Sequence, residues 1–185
     1  VKVQVYDFMR FDTGYISADY TTTGTSTGTI TNTTATGSGA DSLTALMPPT
    51  IDKVFDPNPI LEGGVSTITF AIYNPNQDFP ISDVAFTDNP FPAGMVVAPT
   101  PNPTTTGCGS PTFTPAPGAN AISFTNGSLS AGGTCYVTVD VTATPAGSYP
   151  NTTSAVSAVV AGTTVYGNQG SDTLIVETPV PGIVM

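Results

Sequence analysis

The chain has 185 residues with 3 Lys+Arg against 13 Asp+Glu, a formal net charge of −10 and no His. It therefore lacks the cations that neutralise a phosphate backbone or an anionic membrane surface, and the imidazole of a Ser-His-Asp triad, a Cys-His pair or a His-ligated metal. Two cysteines are too few for a Cys-rich metal cluster, no apolar run is long enough for a membrane helix, and the polar surface must come mostly from Thr, Ser, Asn and Gly.

In chain order, the first candidate element is a strand in which Val1, Val3 and Val5 alternate with Lys2 and Gln4. Tyr6, Phe8 and Phe11 continue on the other parity, which predicts a bulge or twist near Asp7. A second short strand is expected from Tyr15 to Tyr20. Residues 21–39 are almost entirely Thr, Gly, Ser and Asn, with Ile30 the one large apolar side chain, so this tract is read as a linker or an edge ribbon. At most, Ser42 to Met47 makes one helical turn, and Met47-Pro48-Pro49 marks the start of the main domain. The chain begins at Val1 without a signal peptide, and it is expected to be a processed, exported form whose targeting segment has been removed.

From there the apolar period is two. Val65 to Tyr73 and Cys135 to Val141 alternate as half-buried strands, and shorter strands are predicted at 51–55, 82–87, 95–98, 121–125, 153–160, 164–167 and 172–177. Turn clusters separate them at Asp56-Pro57-Asn58-Pro59, Glu62-Gly63-Gly64, Asn74-Pro75-Asn76, Asn89-Pro90 and Ala131-Gly132-Gly133. With 18 Pro and 19 Gly spread through the chain, a long helix has almost nowhere to form. Many short strands with regular turn signals predict an all-β, immunoglobulin-like β-sandwich with an N-terminal strand-like extension. The expected layout is a strand segment at 1–20, a Thr/Gly-rich linker or ribbon at 21–48, the sandwich at 49–178 and a tail at 179–185.

The order of motifs over residues 49–177 resembles the Ig-like conserved repeat domain family of bacterial cell-surface proteins. The residues that carry the resemblance are Ile51-Asp52-Lys53-Val54-Phe55-Asp56-Pro57, Gly63-Gly64, Ser66-Thr67-Ile68-Thr69-Phe70 and Asn74-Pro75-Asn76. They continue as Val84-Ala85-Phe86-Thr87-Asp88 with Pro92-Ala93-Gly94 behind it, Cys108-Gly109, Ala131-Gly132-Gly133-Thr134-Cys135, and Gly147-Ser148-Tyr149-Pro150-Asn151-Thr152. The resemblance implies an Ig-like sandwich, export to the cell surface, a structural or adhesive role and no catalytic residues. Asn89-Pro90-Phe91 stands where that family has an aliphatic residue, and a single copy stands where it has tandem repeats. The second departure favours a self-assembling subunit.

Several residues invite a more specific reading. Cys108 and Cys135 flank a loop-rich segment in a chain that looks exported, which predicts a disulfide. Asp78, Asp83 and Asp88 fall in one short stretch, but Trp platforms are absent and these residues sit among turn formers, where Asp caps backbone. Neither catalytic residues nor a cofactor nor a metal site is expected, and no twelve-residue EF-hand pattern offers calcium a loop. Lys53, in the first strand of the main domain, either makes an ion pair, faces solvent, or is joined by an isopeptide bond to Asn151 or Asp140 with a nearby acid assisting, as in some surface Ig-like domains. Asn32, Asn126 and Asn151 stand in Asn-x-Ser/Thr sequons and are candidate glycosylation sites.

These readings converge on a structural subunit of an extracellular, pilus-like filament whose partner is another copy of itself, head to tail. A sandwich leaves strand edges unpaired, and donating the N-terminal strand to a neighbour's edge would satisfy both sets of backbone groups. Val1, Val3, Val5, Phe8 and Phe11 would then form the subunit interface, with the three valines contributing on the order of 5 kcal/mol per junction. The alternative is an adhesin or surface-layer module that presents its loops to a surface glycan or protein and does not polymerise.

Overall fold

The computed structural model describes residues 46–179, and it is all-β with no helix among them. The expected strand at 1–20, nearly all of the 21–48 tract with its possible helical turn, Asn32, and the tail beyond Pro179 lie outside the described residues. In chain order the strands are β1 (Thr50–Asp56), β2 (Ile60–Leu61), β3 (Val65–Tyr73), β4 (Ile81–Asp88), β5 (Met95–Val97), β6 (Thr104–Thr106), β7 (Ile122–Leu129), β8 (Thr134–Ala143), β9 (Gly147–Val160) and β10 (Thr163–Glu177). One sheet runs β1-β3-β8, with β5 and β6 sharing the far side of β8; the other runs β2-β10-β9-β4-β7. Every pairing is antiparallel except that of β2 with β10.

Alternation sets the two faces. Ile68, Phe70 and Ile72 of β3, with Val137, Val139 and Val141 of β8, point inward and are fully buried, while the residues between them are more exposed. Phe86 of β4 and Phe124 of β7 meet them from the other sheet, with ring centroids 4.8 Å apart for Phe70–Phe86 and 5.4 Å for Phe86–Phe124. The β4 and β7 ladders slip in register around Asp83 and Asn126, both at positive φ (51° and 57°), a conformation Asp and Asn tolerate better than most residues. Tyr149 donates its hydroxyl to the carbonyl of Pro145, four residues upstream, a tyrosine-corner contact of the kind found in immunoglobulin-like sandwiches.

Several strands differ in extent from those expected, among them β7, which runs on to Leu129. The strands expected at 164–167 and 172–177 are one continuous β10, because its bulges around Gln169 shift register without ending the strand. The strand expected at 153–160 begins earlier, at Gly147. β2 and β6 were not expected, being too short to show a period.

The opening strand is an edge that other residues close. β1 pairs β3 on one side, and on the other β10 runs alongside it. The Asn168 amide accepts from Ile51 N–H at 2.9 Å and donates to Ile51 C=O at 2.8 Å, in the place of a neighbouring strand. Asp172 accepts from Phe55 N–H at 2.8 Å. Further on, Asn58 donates to Thr173 C=O and accepts from Ile175 N–H, and Ile60 pairs with Val176.

Candidate functional site

Strand parity puts three polar residues where the sandwich buries its core. In β1 the inward positions are Ile51, Lys53 and Phe55. In β4 they are Val84, Phe86 and Asp88, and in the first half of β9 they are Tyr149, Asn151 and Thr153. Lys53, Asp88 and Asn151 are accordingly buried, the side chains of Lys53 and Asp88 completely. They meet across the two sheets. Lys53 Nζ donates to Asp88 Oδ2 at 2.6 Å, and Asn151 Nδ2 donates to Asp88 Oδ1 at 2.9 Å. One carboxylate thus holds an amine from one sheet and an amide from the other.

The surroundings are apolar. Lys53 Nζ lies 5.1 Å from the Phe55 ring centroid and 5.5 Å from that of Phe70. On the β10 side Gly170 makes room, since a Cβ there would lie 3.2 Å from the Lys53 Cβ. Burial pushes the Lys53 ammonium below its ordinary range and outweighs Asp88, which acts the other way through its charge and its hydrogen bond. Asn151 Oδ1 is buried and has no hydrogen-bond partner among the described residues.

Of the two partners considered for Lys53, Asn151 is at the cluster and Asp140 is not: Asp140 accepts from Thr67 Oγ1 and Asn102 Nδ2, away from it. Asp88 is corrected from a turn-capping carboxylate to the buried partner of Lys53. It does not converge with Asp78, in an exposed loop, or Asp83, exposed at the β4 bulge. Asn151 is also corrected as a sequon, because its amide is inside the sandwich and engaged, leaving no room for a sugar. Asn126 is exposed and bonds Thr112. The signal that could have found the cluster was parity: Lys53, Asp88 and Asn151 each continue the apolar alternation of their own strand.

Cys108 and Cys135 form a disulfide. It joins the chain just after β6 to the start of β8, the strand β6 pairs with, and so pins the short outer strand in place. The bond spans 27 residues, and closing a loop of that size in the unfolded chain is worth about 3.5 kcal/mol in the chain-entropy account. Changing both cysteines to alanine should lower the urea-unfolding free energy by about 3 kcal/mol while leaving the far-UV β signature intact. A loss under about 1 kcal/mol would mean that the loop is already fixed by its other contacts.

Among the described residues no group of three or more His, Cys, Asp or Glu could hold a metal, and no helix is long and apolar enough to cross a membrane. A family model described as "Domain of unknown function (DUF7933)" matches residues 49–176. No curated protein matches the sequence. Among solved structures, the major pilin subunit BcpA of Bacillus cereus is similar with a TM-score of 0.53 at 13% identity, covering 69% of this chain and 40% of the pilin. This chain thus corresponds to less than half of that pilin's length. A cohesin module from a family 33 glycoside hydrolase of Clostridium perfringens is similar with a TM-score of 0.52 at 8% identity, covering 70% of this chain and 98% of the module. At these identities what is shared is the Ig-like sandwich fold.

Proposed function

The chain belongs to the DUF7933 family, a domain of unknown function, over residues 49–176, and from there we propose that it is a non-enzymatic structural subunit of an extracellular, pilus-like fibre, assembled head to tail by strand donation between copies. The observation that carries the reading is the fold, a disulfide-bonded Ig-like sandwich similar to a major pilin subunit. A surface poor in charge fits a protein that packs against copies of itself, since few charges would need desolvation.

Ile68, Phe70, Val137 and Phe124 are fully buried, which favours a donated strand that adds to a sheet edge over one that enters the core. Residues 1–11 of one copy would then lengthen a sheet of the next by main-chain pairing, with Val1, Val3, Val5, Phe8 and Phe11 as the side chains that choose the register. A heterologous contact of that kind repeats into an open fibre.

Deleting residues 1–11 should leave a folded, disulfide-bonded monomer by gel filtration and light scattering, where the full chain forms polymers. A synthetic peptide of residues 1–11 should bind the truncated protein and raise its melting temperature in a dose-dependent way, as any ligand of the folded state does. Unchanged polymers after deletion would remove strand donation as the mechanism. A full-length chain that is itself monomeric supports the second reading, a surface adhesin or surface-layer module. That reading is favoured by the likeness to a cohesin that matches over nearly its whole length.

A further inference from the structure

We propose that Lys53 and Asn151 are a self-modification site: the Lys53 amine condenses with the Asn151 side-chain amide, with Asp88 as acid and base, to give a covalent isopeptide bond between the two sheets. This goes beyond the fibre reading, because it concerns chemistry inside one subunit and holds whether or not the subunit polymerises.

Three observations point the same way. Asp88 bridges the two reacting groups, one on each carboxylate oxygen, at 2.6 Å from Lys53 Nζ and 2.9 Å from Asn151 Nδ2. That is the position from which one group can take a proton from the amine and deliver it to the amide. The site is sealed: Lys53 and Asp88 expose none of their side chains, Asn151 is 3% exposed, and Phe55 and Phe70 wall the amine. Water, the competing nucleophile, is thereby excluded. As a static network, moreover, the cluster is poor. An ammonium buried among rings gains little net stability from its ion pair, and Asn151 Oδ1 is left with no partner among the described residues. Condensation removes the ammonium.

The step balances without any co-reactant. Lys53 passes one proton to Asp88 Oδ2, giving a neutral amine and a carboxylic acid; burial of the lysine favours that transfer. A half-turn of the Asn151 amide brings Oδ1, now unpartnered, against the carboxyl, whose proton then polarises the C=O. Lys53 Nζ attacks Asn151 Cγ and the new C–N bond forms. A second proton moves from Nζ to Nδ2 through Asp88, the Cγ–Nδ2 bond breaks, and ammonia leaves. No atom changes oxidation state.

The test uses the full chain as purified, reduced and denatured. Its intact mass should lie below the sequence value by one ammonia. Trypsin gives an independent readout because Lys2, Arg10 and Lys53 are its three cleavage sites. A Lys53 acylated on Nζ is not cut, so the fragment of residues 11–185 should survive whole. An unmodified Lys53 would release 11–53 and 54–185. The variants Asp88→Asn, Asn151→Ala and Lys53→Arg should all return to full sequence mass, and the first two should regain the cut after Lys53. The wild-type measurements decide even if a variant fails to fold. Full sequence mass overturns the proposal. So does loss of ammonia with Lys53 still cleaved, which would place the loss at another Asn or Gln.

Discussion

Replacing Asp88 by alanine should cost the folded sandwich about 3 to 5 kcal/mol from the stranded lysine charge alone, before any covalent bond is counted. The change leaves Lys53 among Phe55 and Phe70 with its nearest counter-charge gone, and Asp172 as the remaining carboxylate acting on it. If the ammonium stays, it is an unpaired buried charge. If it deprotonates instead, losing a proton at pH 7 from a group that ordinarily titrates at 10.5 costs about 5 kcal/mol at about 1.4 kcal/mol per pH unit. The second route has a signature. Below pH 10.5 the unfolded variant would hold one more proton than the folded one, so its stability should rise as the pH is raised from neutral toward that value. Urea midpoints at pH 7 and pH 10 measure this. A variant within about 1 kcal/mol of wild type at both would show that water or a rearranged side chain takes the place of Asp88.

Phe124→Ala should be comparably damaging for an unrelated reason. Phe124 is fully buried, stacks on Phe86 and tilts against Phe113 at 6.2 Å, so its removal opens a cavity beside both rings. Losses of about 3 to 5 kcal/mol are typical of such truncations. The neighbouring backbone supplies an internal control. A Cβ on Gly127 would come within 2.6 Å of the Phe124 ring, so Gly127→Ala alone should strain the wild-type core. In the Phe124→Ala background the same methyl enters the vacated space and should cost little or even stabilise. A double-mutant cycle in urea should show a coupling of about 1 kcal/mol or more in the sense of rescue. Additive losses would mean that the core collapses around the missing ring.

The strands were legible because their alternation is nearly unbroken: Val65 to Tyr73 and Cys135 to Val141 read as they fold. The disulfide was legible from cysteine placement. β2 and β6 were not, since two or three residues carry no period and are held by β10 and by β8 with the disulfide. The candidate site was half legible. Lys53 and Asn151 drew notice as residue types, but Asp88 was read as a turn residue because Asn89-Pro90 follows it. The pattern Val84-x-Phe86-x-Asp88 already placed it inward, as Ile51-x-Lys53-x-Phe55 did for the lysine. What no single strand could show is that β1, β4 and β9, from two sheets, bring those positions together.

The way β10 lies beside the opening segment has a mechanical consequence. Ile51 meets Asn168, Phe55 meets Asp172, Asn58 meets Thr173 and Ile175, and Ile60 meets Val176, so both segments advance in the same direction. A tether pulling the domain at Thr50 and another pulling at Glu177 would therefore slide the two segments past each other along their length. Every lateral bond between them would be loaded at once, as in a lap joint, rather than one at a time as in a zip fastener. Rupture then requires the bonds to fail together, which makes yield abrupt.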